Sequence, residues 1–94
     1  MQVTVSFLGM LRDQVGSSSI VVELPEAATY RGLLDNIEPR MRASLSASWA
    51  WNDEKRSFAR GVLVTRNLSA DLRDATTRLA DGDQILVVSP LAGG

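Results

Sequence analysis

The chain contains no cysteine and no histidine, and this double absence removes much of enzyme chemistry at the outset. Without those side chains there is no thiol nucleophile, no disulfide or zinc-finger framework, no imidazole general base and none of the usual transition-metal ligands. Long apolar runs are missing too. Stretches such as residues 20–22 and 85–88 fall far short of the roughly 20 apolar residues needed to cross a bilayer. The first residues lack the basic-then-apolar order of a secretory signal, so a cytoplasmic location is the expectation. Neither sign of charge dominates: 10 Lys and Arg against 11 Asp and Glu leave a net charge of -1. That balance favours neither nucleic acid nor membrane as the main partner.

What remains is a chain of 94 residues, 45% of them apolar, enough for one core and too short for two. A domain of this size buries only about 60–65% of its unfolded surface. A single sheet packed on one or two helices is therefore expected, without a large active-site cavity. Carboxylates remain as acid/base groups. Asp13, Asp35, Asp53, Asp71, Asp74, Asp81 and Asp83 are scattered over turns and helix ends, where solvated or capping aspartate is the ordinary reading.

Val3, Val5 and Phe7 alternate with Thr4, Ser6 and Leu8, the period-two pattern of a half-buried strand over residues 2–8. Gly9 ends it, and residues 10–15 read as a short helical or irregular turn closed by Gly16. A second strand over 20–24 stops at Pro25 and pairs with the first as an antiparallel hairpin. Thr29 is the candidate N-cap of a helix whose Leu33, Leu34 and Ile37 share one face. Pro39 is expected to interrupt or restart that helix, with Met41 and Leu45 continuing the apolar stripe. Residues 46–60 look like an exposed loop or hairpin insertion. Its Trp49 and Trp51 either anchor a partner or cover the end of the core, and the second role is preferred. Residues 62–64 form a third strand, and 68–79 a mixed loop with helical turns that buries Leu68, Leu72 and Leu79. The turn Asp81-Gly82-Asp83 launches a last strand over 84–88.

The order strand, strand, helix, strand, irregular segment, strand predicts an α+β domain over residues 1–94, a mixed sheet of four or five strands with a helix across one face. With first and last strands side by side and parallel, this is the β-grasp. It leaves a flexible tail, about residues 90–94, projecting from a central strand and ending in Gly93-Gly94. At ordinary glycine usage a Gly-Gly ending arises by chance about 0.5% of the time. Two residues without Cβ can thread a narrow channel in a partner's active site and present their carboxylate there. A carboxylate oxygen leaves poorly, so acyl chemistry at that group needs activation by a partner that brings ATP and Mg²⁺; the domain itself is expected to bind no cofactor and no metal.

Residues 3–7 (Val-Thr-Val-Ser-Phe), Leu11-Arg12-Asp13 running to Gly16, and residues 79–85 continuing through Pro90-Leu91-Ala92-Gly93-Gly94 resemble the MoaD/ThiS family of ubiquitin-like sulfur carriers. That family includes the small subunit of molybdopterin synthase. The resemblance spans essentially the whole chain and is most specific in the last sixteen or so residues. It implies adenylation of Gly94 by a ubiquitin-activating-type adenylyltransferase. Conversion to a thiocarboxylate follows, which would deliver sulfur to an acceptor enzyme such as the molybdopterin synthase large subunit. The chain would thus be a carrier rather than an enzyme. The insertion at 46–60, Arg66 in the neighbourhood of the third strand, and Ser89-Pro90 where synthase subunits commonly carry Pro-Pro depart from the pattern. Carriers for cysteine, thiamine or tRNA thiolation share the tail.

Strand parity adds a docking surface. If Val3, Val5, Phe7, Ile85 and Val87 face the helix, then Leu8, Leu63, Leu86 and Val88 line the open face, next to Pro90, Leu91 and Ala92 of the tail. Two other readings use the same residues. One is a ubiquitin-like modifier joined to target lysines through Gly94; the other is a plain interaction module in which the tail has no chemistry.

Overall fold

Alternation along the first segment becomes strand β1 (Gln2–Leu8), whose inward residues Val3, Val5 and Phe7 are fully buried because successive side chains leave a strand on opposite faces. The computed structural model describes residues 1–88. After β1 come helix α1 (Met10–Val15), strand β2 (Ser19–Glu23) and helix α2 (Tyr30–Ala43). A 3₁₀ helix (Leu45–Ala50) then leads into strands β3 (Trp51–Asn52), β4 (Ser57–Phe58), β5 (Leu63–Arg66), β6 (Ala70–Asp71) and β7 (Gln84–Val88).

Five strands form one mixed sheet in the order β2-β1-β7-β5-β6. β1 runs parallel to β7 and antiparallel to β2. β5 lies antiparallel on the other side of β7. The last strand of the chain is thus central and paired along both edges. Val3, Val5, Phe7, Ile85 and Val87 share one core with the helical stripe Tyr30, Leu33, Leu34, Ile37 and Met41. Spacings of three and four residues put that stripe on one side of α2. The small helix α1 adds the fully buried Leu11. It ends at Gly16, whose φ of 87° is the left-handed cap conformation and whose N–H donates to the Arg12 carbonyl.

Several expectations are corrected. Pro39 does not interrupt α2, which runs from Tyr30 to Ala43 with Pro39 inside it. The ring removes only the bond to the Asp35 carbonyl, and the buried residues on either side hold the turn together. Thr29 does precede the helix, but its side chain makes no capping bond. Instead the carbonyls of Thr77 and Ala75 accept the N–H groups of Tyr30 and Arg31 at 2.8 and 2.9 Å, satisfying donors that a helix start leaves free. Leu45 does not extend the stripe. The backbone turns extended at Ser44, so the helical phase is lost; Leu45 is 85% exposed while Ala47 and Ala50 enter the core.

The insertion is a small β-hairpin rather than a loose loop: β3 pairs antiparallel with β4. Trp51 is buried edge-on against Phe58, with ring centroids 5.3 Å apart. Trp49 donates its indole N–H to the Gln14 side-chain oxygen at 2.6 Å, tying the 3₁₀ helix to α1. Both tryptophans thus have structural work. On its outer side the hairpin is strapped to α2 by Arg56, which reaches Glu38 at 2.9 Å and Asp35 at 3.2 Å. Those hydrogen bonds to Arg56 hold the Glu38 carboxyl below its ordinary range. Arg31 adds hydrogen bonds to the carbonyls of Lys55 and Arg56. No helix forms between 68 and 79, where the one expected turn is that closed by the Thr77 N–H on the Asp74 carbonyl, and β6 was not anticipated there. Leu72 and Leu79 are buried as expected, but Leu68 is 80% exposed. Asn67 and Leu68 both have positive φ, and the Ser69 N–H closes the turn onto the Arg66 carbonyl. With Arg66 opposite Ala70, residues 67–69 form a three-residue hairpin loop whose middle residue is thrown outward.

Candidate functional site

The turn before β7 fixes where that strand starts. Asp81 accepts the Gln2 N–H at 2.7 Å, and the Gly82 N–H donates to the Gln2 carbonyl at the same distance. Asp83 is not the solvated turn residue the sequence suggested: it is 5% exposed. One of its oxygens accepts the Ala80 N–H at 2.8 Å and meets the Arg66 guanidinium at 2.9 Å. The other accepts the Asn67 amide at 3.1 Å. Burial pushes this carboxyl up, but the Ala80 N–H, the Asn67 amide and the Arg66 guanidinium outweigh it and hold it below the usual carboxylate range. The out-of-pattern Arg66 thus has a partner, and the two form a clamp between the end of β5 and the start of β7. Asn67 reinforces it by accepting the Gln84 N–H at 2.8 Å.

From this clamp β7 runs through the sheet in a register that decides what surrounds its far end. Val88 lies opposite Leu8 of β1 and opposite Leu63 of β5. One residue pair back on the same face, Leu86 lies between Ser6 and Thr65. The four apolar residues assigned to the open face are therefore together. Leu8 and Leu63 are each 42% exposed, Met10 beside Leu8 equally so, and Leu86 and Val88 are half-buried. Towards the clamp the face carries Thr4 and Gln84, opposite one another, with the exposed Val21 beyond Thr4 on β2. The apolar patch is thus at the end of the sheet from which the chain continues as Ser89-Pro90-Leu91-Ala92-Gly93-Gly94. Pro90, Leu91, Ala92, Gly93 and Gly94, the remaining candidate residues, lie outside the described residues.

Thr65 escaped the sequence reading. Its hydroxyl is buried beside this patch with no hydrogen-bond partner among the described residues, and period-two spacing from Leu63 was the signal that placed it there. A second unanticipated feature is a half-open groove of about 720 Å³. Chain length argued against a sizeable cavity, but the hairpin insertion supplies one wall. Among the described residues no group of acidic side chains could hold a metal ion, and no helix is long and apolar enough to cross a membrane. The Thr76 hydroxyl, which donates to the Asp74 carboxylate at 2.7 Å, lies on an exposed turn. What the described body does offer is a central strand, paired along both edges, whose end lies within a partly exposed apolar face.

A mixed sheet grasping one long helix, with its last strand central and open-ended, defines the chain as a ubiquitin-like β-grasp protein. The model of the ThiS family matches residues 5–94, and the chain belongs to that family of small sulfur carriers. No curated protein sequence matches it. Among solved structures it is similar to SAMP1 of Haloferax volcanii, at 21% identity and a TM-score of 0.78 with both chains covered in full. It is also similar to the molybdopterin converting factor subunit 1 of Pyrococcus furiosus, at 24% identity and a TM-score of 0.70 over 97% of this chain and 99% of that one. A chain of the BexX/CysO complex of Amycolatopsis orientalis is 26% identical, with a TM-score of 0.66 over 98% and 99% of the two chains.

Proposed function

We propose that this protein carries sulfur on its C-terminal carboxyl and hands it to a biosynthetic enzyme. The observation behind the reading is the path of β7. It is clamped at its start, paired on both sides, and ends at Val88 within an apolar face, six residues before Gly94. Six extended residues reach at most about 20 Å, so a partner seated on Leu8, Leu63, Leu86 and Val88 could draw Gly94 into its own active site.

The chemistry is supplied by that partner. The Gly94 carboxylate oxygen attacks the α-phosphorus of Mg²⁺-bound ATP, and pyrophosphate leaves. Hydrosulfide from a sulfur donor then attacks the acyl carbon, and AMP leaves with the C–O–P oxygen. A thiocarboxylate remains, with no change of oxidation state. Preorganised donors in the adenylating enzyme stabilise both transition states. The carrier's part is binding and orientation, with Gly93 and Gly94 giving the backbone room to thread. The large subunit of molybdopterin synthase is the first acceptor to test, followed by enzymes of cysteine, thiamine and tRNA thiolation; all would place the carrier in the cytoplasm.

Intact mass after incubation with ATP, sulfide and the adenylating enzyme of the same cell tests the reading. The expected product has one oxygen replaced by sulfur, and a variant lacking Gly94 folds normally but stays unmodified. An unchanged mass with a competent enzyme, and no adenylate, would overturn it. The same activated carboxyl could acylate a lysine, and adducts in place of thiocarboxylate would assign the modifier role instead.

A further inference from the structure

The half-open groove is built by the start of α2, the β3–β4 hairpin and the outer side of β5. Its floor is apolar, with Leu34, Phe58 and Val62, and four cations line it: Arg31, Lys55, Arg60 and Arg73. No carboxylate does so among the described residues. Two of the cations are already neutralised. Arg31 pairs with Asp35 and Arg73 with Asp71, each at 3.0 Å. Lys55 and Arg60 are exposed and have no ion pair among the described residues. In a chain of net charge -1, two cations without an ion pair thus stand beside apolar side chains. The groove also continues the docking face, because Leu63 lines it and lies opposite Val88 in the sheet. A partner gripping the tail end would need to extend only past Leu63 to fill it.

We propose that the groove receives an acidic segment of the adenylating enzyme, with carboxylates against Lys55 and Arg60 and an apolar side chain on Phe58 and Val62. Two free cations are too few for nucleic acid, whose binding rests on neutralising many phosphates. They suit a protein segment, where complementary charge sets encounter rate and register. The adenylating enzyme is the occupant because activation is the step that sulfur transfer and conjugation share. The inference rests on the carrier reading above.

The test is ATP-dependent pyrophosphate release by the adenylating enzyme of the same cell, titrated with full-length carrier at low and high salt. Arg60→Glu with Lys55→Glu should raise the half-saturating carrier concentration about tenfold or more. The milder Arg60→Gln with Lys55→Gln should lie between, and keeps the test valid if the reversal variant folds poorly. Wild type should lose affinity as salt rises, and the reversed variant should lose less. Arg40→Glu makes the same charge change as Arg60→Glu alone, but between β2 and α2. It should shift the concentration no more than about twofold. If Arg60→Glu behaves like Arg40→Glu and the double variants match wild type, the groove proposal is overturned while wild-type pyrophosphate release still supports the carrier. If wild type releases none, the carrier reading fails and the groove proposal fails with it.

Discussion

Removing the Asp83 carboxylate should be the most damaging single polar change in the domain. Asp83→Ala deletes the acceptor for the Ala80 N–H and the Asn67 amide and leaves Arg66 without its counter-ion. Breaking a buried, hydrogen-bonded ion pair from one side costs about 3–5 kcal/mol. The Arg66 side chain is 28% exposed, so water recovers part of its charge and about 3 kcal/mol is the expected loss. For a domain of this length that corresponds to a fall in the unfolding midpoint of roughly 12–24 °C. Protonation should reproduce the loss. The folded carboxyl sits below its ordinary value, so its contribution is full above the unfolded pKa of about 3.9 and is lost as pH falls through the folded value. Urea unfolding of wild type and Asp83→Ala should therefore show a gap at pH 7 that closes on acidification. A gap under about 1 kcal/mol at pH 7, or one that widens in acid, would refute the clamp.

Leu63→Asp places a charge on a side chain already 42% exposed, so thermal unfolding should move by under about 1 kcal/mol. Half-saturation of the adenylating enzyme should rise about 10–100-fold, because the same change puts an unpaired charge in the centre of a docking face. Pro39→Ala restores the helical bond to Asp35 within α2 and should stabilise by about 1–3 kcal/mol in urea unfolding, with thiocarboxylate formation unchanged. Leu68→Gly removes the cost of a positive φ at an exposed leucine. It should raise stability by about 1 kcal/mol in the same assay, because glycine adopts that φ without a Cβ clash.

The sheet was largely legible before any coordinates. Val3, Val5 and Phe7, and Ile85 and Val87, carry a period of two that only a strand can bury on one side, and a long intervening segment allows their strands to run parallel. The helix was legible from Leu33, Leu34 and Ile37. The errors fell where a local signal met a tertiary one. Pro39 is a helix breaker by its own chemistry, but it is a single residue in a helix whose buried stripe runs past it to Met41. Leu45 and Leu68 are hydrophobic, and the expectation was burial; each sits where the backbone changes direction and carries the side chain outward. Hydrophobicity says a side chain prefers the interior, not that the chain path lets it arrive there.

For the candidate site, the chain by itself determined the Gly93-Gly94 pair, the lack of thiol and imidazole in these residues, and the parity that places Leu8, Leu63, Leu86 and Val88 on one face. These depend on residue identity and short-range periodicity, which a linear pattern records. Tertiary structure alone decided that Arg66 and Asp83, seventeen residues apart, meet as an ion pair with the carboxylate buried. It also decided that Val88 falls level with both Leu8 and Leu63, and that the hairpin insertion walls a basic groove around the corner from them. Each is a matter of register between segments far apart in the chain. Register is set by how the whole core packs, because a slip of one residue would turn every inward side chain to solvent.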